Sequence, residues 1–236
     1  VQDRITAACA EANRSREGVS LIVVTKFHPV DLVAQLYALG HRDFGENKDQ
    51  EAGPKALALE ALLGENGMQD PANWHFVGQL QSNKVKSVLR YAHSVHSLDR
   101  PSLLAALAKE TAKIAQMGEQ AGLPAPAALE VFIELNLTDD PDRGGIRKDD
   151  LLGFAEDVLK VPGLRLAGVM GVASLDHQPE RDFAAIQAAS IKLQSLAPQA
   201  SLISAGMSGD FEVALRFGAT HLRIGTAITG ERQYSA

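Results

Sequence analysis

A lysine closes the first strongly apolar run of the chain, VSLIVVTKFHP at 19–29, placing Lys26 where a buried strand would end. An amine at such an apolar rim loses hydration. That favours its neutral form, which attacks a carbonyl and forms an imine. The position also suits a lysine that lays its stem on apolar surface and keeps its charge in water. A second group lies near the other end, in ISAGMSGD at 203–210 and HLRIGTAITG at 221–230. Gly206, Ser208 and Gly209 stand between an apolar stretch and a short helix, and Gly225 and Thr226 directly follow another apolar stretch. Exposed N–H groups and the Ser208 hydroxyl suit a phosphate, and Gly225 lets backbone approach an anion closely. The same residues also read as a helix cap and a turn. An imine-forming amine beside a phosphate cradle is the chemistry of pyridoxal phosphate (PLP), provided the fold makes the two ends neighbours.

Arg223 shares side parity with Gly225 and points the same way along a strand. A fixed cation cannot accept a proton from a ring nitrogen, so a pyridine facing it stays unprotonated and is a weaker electron sink. A rim salt bridge is the competing role. Glu46 and Asn47 lie at the mouth of the second strand and Asn83 follows the third. The asparagines suit either a ring hydroxyl or the fixing of loops. His75, His93 and His96 invite a zinc site, but His93 and His96 show no carboxylate or cysteine partner in sequence, so core or surface histidines are expected and no metal. Asp139, Asp140, Asp142 and Arg143 read as a solvated turn on the same rim.

The elements that position these groups are eight strand-like stretches, at 19–25, 43–46, 74–78, 94–98, 129–136, 166–173, 202–205 and 221–225. Several are continuous apolar runs, as parallel strands buried on both faces require. Helical patterns alternate with them: from Pro29 to a cap at Gly40, from Pro101 toward Gly122 as the longest helix, and then at 148–160, 179–196 and 210–217. A further helix is expected near 2–16, closing one end. Eight units of about 30 residues predict an α/β fold, a closed (β/α)8 barrel whose functional face is the C-terminal rim. An open doubly wound sheet is the alternative, although the first turn, TKFHP, carries no GxGxxG.

The chain has 236 residues, 45% hydrophobic and 22% charged, with a net charge of −6. A chain this size hides on the order of 70% of its extended surface, so neither disulfides nor a metal are needed for a core. The acidic balance argues against a general nucleic-acid surface. Apolar runs are too short to span a bilayer, and no basic-then-apolar leader opens the sequence. Cys9 is the only cysteine, which fits a reducing compartment, and cytoplasm is the expected location. The Pro/Ala stretch at 121–128 reads as a loop, so 1–236 is taken as one domain.

TKFHP, HRDFGEN, WHFVGQLQSNK, VHSLD, the GVM stretch, GMSGD and HLRIGTAITG resemble, in this order over nearly the whole chain, the pyridoxal phosphate homeostasis family. Those proteins are similar to the barrel domain of bacterial alanine racemase, PLP fold type III, without its β-rich second domain. Only ten residues follow Thr226 in this sequence, so no such second domain is expected. The resemblance implies that Lys26 is the Schiff-base lysine, that Ser208, Gly225 and Thr226 hold the phosphate, that Arg223 faces the pyridine nitrogen, and that Asn47 lines the pocket. It further implies a role in vitamin B6 homeostasis without evident turnover; transient delivery of PLP to apoenzymes is expected, and the lack of the second domain, which removes the racemase-style dimer contact, makes a monomer the expectation. The alternative is a PLP-dependent amino-acid racemase or isomerase, which needs a second base. Tyr37 and Tyr91, read as helical, and terminal Tyr234 offer none. FGENKDQE carries Lys48 where the family often has Tyr or Arg, which leaves the contact at that position open.

Overall fold

The computed structural model describes residues 1–65, 70–138, 140, 143–174 and 178–230. Eight parallel strands close into a barrel in sequence order: β1 (Ser20–Val24), β2 (Asp43–Glu46), β3 (Asn73–Phe76), β4 (Ala92–Leu98), β5 (Leu129–Glu134), β6 (Leu164–Met170), β7 (Leu202–Ser204) and β8 (His221–Ile224). The expected closed (β/α)8 architecture is therefore the one observed, with β1 paired to β8 from Ser20↔His221 to Val23↔Ile224. That closure brings the two ends of the chain together.

Helices α1 (Gln2–Glu11), α2 (Val30–Ala38), α3 (Asp49–Glu65), α4 (Val85–Val88), α5 (Pro101–Gln120), α6 (Leu151–Leu159), α7 (Pro179–Leu196), α8 (Phe211–Arg216) and α9 (Thr226–Thr229) accompany the strands. α2 ends where expected, with Gly40 in the left-handed region at φ +95°. α1 is shorter than expected, and it packs on α8. Arg14 donates to the Leu215 and Ala219 carbonyls at 2.9 and 2.8 Å, and Ile5 and Cys9 are buried. Tyr91 lies in the turn after α4 and not within a helix.

The apolar core is the layer between strands and helices. Strand residues Val23, Phe44, Val95, Val131, Ile133, Ile203 and Leu222 meet Leu36, Leu59, Leu103, Phe154, Phe183 and Phe211 from the helices. Inside the barrel a separate small cluster, Phe132, Ala167 and Met170, forms the apolar plug. Among the described residues, no helix is long and apolar enough to cross a membrane.

Candidate functional site

Strand register carries Lys26, Asn47, Arg223 and Gly225 to one rim. Ile22 pairs with Arg223 and Val24 with Gly45, so the alternation continues through Lys26 on β1's exit, Asn47 on β2's exit and Gly225 on β8's exit, all on the luminal side. Lys26 is half-buried and makes no hydrogen bond or ion pair among the described residues. Asn47 is half-buried, lines a cavity of about 290 Å³ with Gln79, Gln81 and Lys84, and its side chain makes no hydrogen bond among the described residues. Asn83 is exposed in the turn Ser82–Lys84.

The loops after β7 and β8 touch at the expected cradle. Ser208 Oγ lies 3.2 Å from Thr226 Oγ1 and accepts from the Ala227 N–H at 3.3 Å. Gly206 turns the chain there at φ +91°, and a Cβ would meet Ala214 Cβ at 2.9 Å and Phe211 Cα at 3.0 Å. Only glycine fits both the dihedral and the packing. Asp210 fixes the loop by accepting from the Met207 N–H at 2.6 Å. The Ser208 and Gly209 N–H groups have no partner among the described residues. A hydroxyl pair and free N–H groups around a glycine turn fit a phosphate, and an unpaired amine one strand away fits an aldehyde. The residues present thus suit PLP.

Arg223 is buried inside the barrel. It donates to Ser204 Oγ at 2.6 Å and to the Gly171 carbonyl at 3.0 Å. Burial lowers its pKa to about 10, opposed by the Glu134 carboxylate, so it is a cation at neutral pH. Glu134 itself ends β5, with Oε2 buried and without a hydrogen-bond partner among the described residues. Burial and the nearby Asp99 charge push its carboxyl up to about 7.

Several groups escaped the sequence reading. Glu46 does not reach the mouth: it turns outward, where Lys55 of α3 donates to it at 2.5 Å and Thr25 Oγ1 at 2.7 Å. Lys55 also donates to the Thr25 carbonyl at 3.0 Å, and Glu51 accepts from the Phe27 N–H at 2.9 Å. α3 therefore grips the backbone on both sides of Lys26. The opposite side parity of Glu46 and Asn47 was the available signal. Phe27, at φ +67°, is one of the few non-glycine residues in the left-handed region, and Lys48 places its ammonium 5.4 Å from the Phe27 ring centre. That cation–π contact is what Lys48 supplies in place of an aromatic or arginine.

His75 and His96 are buried core histidines and His93 is partly exposed, as expected, but carboxylate partners were missed. His93 has a carboxylate partner, Glu130, at 3.5 Å, and His75 lies 3.0 Å from Asp43. His93 holds Glu130 down to about 2, against desolvation and with help from Arg165. These pairs form only across neighbouring strands, so linear spacing could not reveal them. Among the described residues no group of three or more His, Cys, Asp and Glu side chains is arranged to hold a metal. Asp139 and Asp142 of the charged turn lie outside the described residues, while Asn136 anchors that turn by donating to the Asp140 and Arg143 carbonyls.

Residues 2–233 match the family described as "Alanine racemase, N-terminal domain". A pyridoxal phosphate homeostasis protein of Mycobacterium bovis is 37% identical over 240 residues, covering 99% of this chain and 90% of that protein. The Escherichia coli K12 protein of the same name is 34% identical, covering 100% and 95%. The solved structure of Synechococcus elongatus PipY with PLP bound superposes with a TM-score of 0.76 at 28% identity, over 96% of this chain and all of that one. Alanine racemase from Corynebacterium glutamicum shares the fold alone, at TM-score 0.64 and 13% identity over 98% of this chain and 62% of that one. A closed barrel with its amine and cradle on one rim, matched end to end by these relatives, means that the chain belongs to the alanine racemase N-terminal domain family and to the pyridoxal phosphate homeostasis proteins within it.

Proposed function

We propose that this protein holds pyridoxal 5'-phosphate at the C-terminal mouth of its barrel and acts in intracellular vitamin B6 homeostasis. The observation that carries this reading is the β1–β8 register, which sets the unpaired Lys26 beside the Ser208–Thr226 cradle. Bound PLP supplies an aldehyde that condenses reversibly with amines and a ring that withdraws electrons. Lys26 would supply the amine for that condensation, Ser208, Gly225 and Thr226 would hold the phosphate, and Asn47 would line the pocket. Arg223 faces the ring nitrogen and, as a permanent donor, keeps it unprotonated. Holding and release, without evident turnover, is consistent with the homeostasis name carried by the relatives.

Residues 1–236 act as one domain, supported by a core that runs continuously from Ile5 to Ile224. The protein works as a monomer in the cytoplasm and passes PLP transiently to apoenzymes. The single, buried Cys9 suits that reducing compartment.

Borohydride reduction of the PLP-treated protein, followed by peptide mass mapping, tests the assignment. The adduct is expected on Lys26 and its near-visible band is expected to vanish in Lys26→Ala. Attachment at another lysine, or no band after PLP addition, overturns it. Isomerisation of single amino acids that depends on Lys26 and runs well above the rate of free PLP would overturn the holding role in favour of a racemase or isomerase.

A further inference from the structure

The inside of the barrel contains a hydrogen-bonded chain that the proposed site does not by itself require. Arg223 Nη1 donates to Ser204 Oγ at 2.6 Å, and Ser204 Oγ lies 2.7 Å from His96 Nδ1. His96 Nε2 lies 2.8 Å from Ser94 Oγ and 3.3 Å from His75 Nδ1. Ser94 Oγ is 2.7 Å from His75 Nδ1, and His75 Nε2 is 3.0 Å from Asp43 Oδ1. The chain runs from β8 through β7, β4 and β3 to the first residue of β2, so it crosses the barrel toward its N-terminal end. His96 and Ser204 are fully buried, and His96 stacks on Phe132 with ring centres 4.3 Å apart.

Donor and acceptor chemistry gives the chain one direction. Arginine only donates, so Ser204 accepts from it, and the order that gives every later link down to the acceptor-only Asp43 one donor and one acceptor turns the Ser204 proton toward His96 Nδ1. His96 is then neutral with its proton on Nε2, which donates to Ser94. Ser94 in turn donates to His75 Nδ1, leaving the His75 proton on Nε2, aimed at a carboxylate that only accepts. Every proton points away from Arg223 and the last acceptor is an anion. A cationic His96 has no place in this order, and full burial, with the Arg223 cation nearby, keeps it neutral by holding its pKa well below the usual value. Desolvation works against ionised Asp43, but the His75 and Asn73 hydrogen bonds outweigh it and hold its carboxyl below the usual range.

We propose that Ser204, His96, Ser94, His75 and Asp43 form a positioning relay for Arg223, fixing its guanidinium and coupling it to the Asp43 countercharge at the far end of the barrel. Its consequence for PLP rests on Arg223 facing the ring nitrogen, as proposed above. The other charged or titratable groups around the relay include His41 beside Asp43, His93 on β4, Glu130 and Glu134 on β5, Arg165 on β6, Asp210 facing Arg223 and His221 on β8. His221 stands 6.2 Å from His96, ring to ring.

Nitrogen-15 NMR of the imidazoles in the PLP-free wild-type protein tests the direction without reference to the cofactor. At pH 7, His96 and His75 are both expected as neutral Nε2–H tautomers, and an Nδ1–H tautomer or a cation at His96 overturns the relay. Ser204→Ala is expected to weaken PLP binding about tenfold and to shift the pH profile of the bound band, with Asp43→Asn acting in the same direction and Ser204→Thr restoring both. Lower thermal stability with unchanged tautomers, PLP affinity and pH profile would reduce these residues to packing and overturn the proposal. If wild-type protein takes up no PLP, the reading of the site fails, while the tautomers still decide the relay.

Discussion

The two sides of the β-barrel are built on opposite physical terms. Outside, strand and helix side chains such as Phe44, Val131, Phe183 and Phe211 form a continuous apolar layer, and burial of that area drives folding. Inside, where branched apolar residues commonly fill a barrel of this type, the lumen instead holds His75, Ser94, His96, Ser204 and Arg223 around the small plug of Phe132, Ala167 and Met170. An apolar layer tolerates many solutions of similar volume. A buried polar chain tolerates few, because each member must keep its partner or bear the full cost of desolvation. The shell therefore specifies the fold, and the lumen specifies what the rim can do.

Truncation in the shell should give the largest loss of stability and the least specific loss of function. Phe211→Ala is expected to cost ~3–5 kcal/mol from lost burial and the cavity left behind. Chemical denaturation should show this as a lower midpoint with little change in slope. PLP uptake, measured well below that midpoint, should persist. Loss of uptake in a still-folded Phe211→Ala protein would erase the distinction between shell and lumen.

The Glu46–Lys55 pair sharpens the comparison because it is a polar contact inside the apolar shell. Lys55→Met leaves the buried Glu46 carboxylate without its cation and should cost about 3 kcal/mol, whereas Glu46→Leu with Lys55→Met should recover most of it. Since the pair also grips Thr25, the double variant should regain stability without regaining the wild-type rate of Lys26 adduct formation. Denaturant midpoints and reduction kinetics on the same samples would separate the two effects. Full recovery of both would make the pair structural only.

Much of this organisation could be read from the residues, for reasons that also explain the gaps. Eight parallel strands were legible because burial on both faces leaves continuous apolar runs, and α7 at 179–196 was bounded by its starting proline. Lys26, Ser208, Gly225 and Thr226 could be picked out as candidates because each stands just past a strand or in a turn, and Arg223 by its two-residue spacing from Gly225. The lumen was not. His75, His96 and Ser204 come from three strands, and register shifts between β3 and β4, β4 and β5, and β5 and β6 break the simple two-residue alternation. Partnership across strands exists only once the barrel closes. Lys55 was hidden differently: within a helical pattern it looks like any charged surface residue, and only the outward parity of Glu46 marks its partner.

Lumen groups should also give the protein a pH dependence that the shell cannot. Burial and the nearby His75 charge lower His221 to about 4 from a usual value near 6.5. It is therefore neutral when folded and protonated when unfolded between those values, so stability falls as pH drops through that window. Glu134 is raised to about 7, so the folded state binds the extra proton between pH 4.5 and 7, and its contribution is lost as pH rises through that range. Each effect is on the order of 1–3 kcal/mol. Urea midpoints of the PLP-free protein from pH 4 to 8 should show His221→Gln flattening the acid side and Glu134→Gln raising stability above pH 7. Unchanged profiles in both would mean that neither group is held as its surroundings require.

The smallest stability effect tests the rim, where the two regions meet. Phe27 adopts φ +67° immediately after Lys26, with its N–H bound to Glu51 and Lys48 over its ring. A left-handed phenylalanine costs about 1–2 kcal/mol, and glycine relieves that strain while adding about 0.5–1 kcal/mol of unfolded-chain entropy and losing the ring contact. These terms nearly cancel, so Phe27→Gly should move the thermal midpoint by only a degree or two. The turn carrying Lys26 would nonetheless lose its stiffest restraint, and PLP should dissociate several-fold faster. A strain retained at no gain in stability is explained by what it positions. Unchanged dissociation in Phe27→Gly would show that α3, through Lys55 and Glu51, is sufficient to aim the lysine.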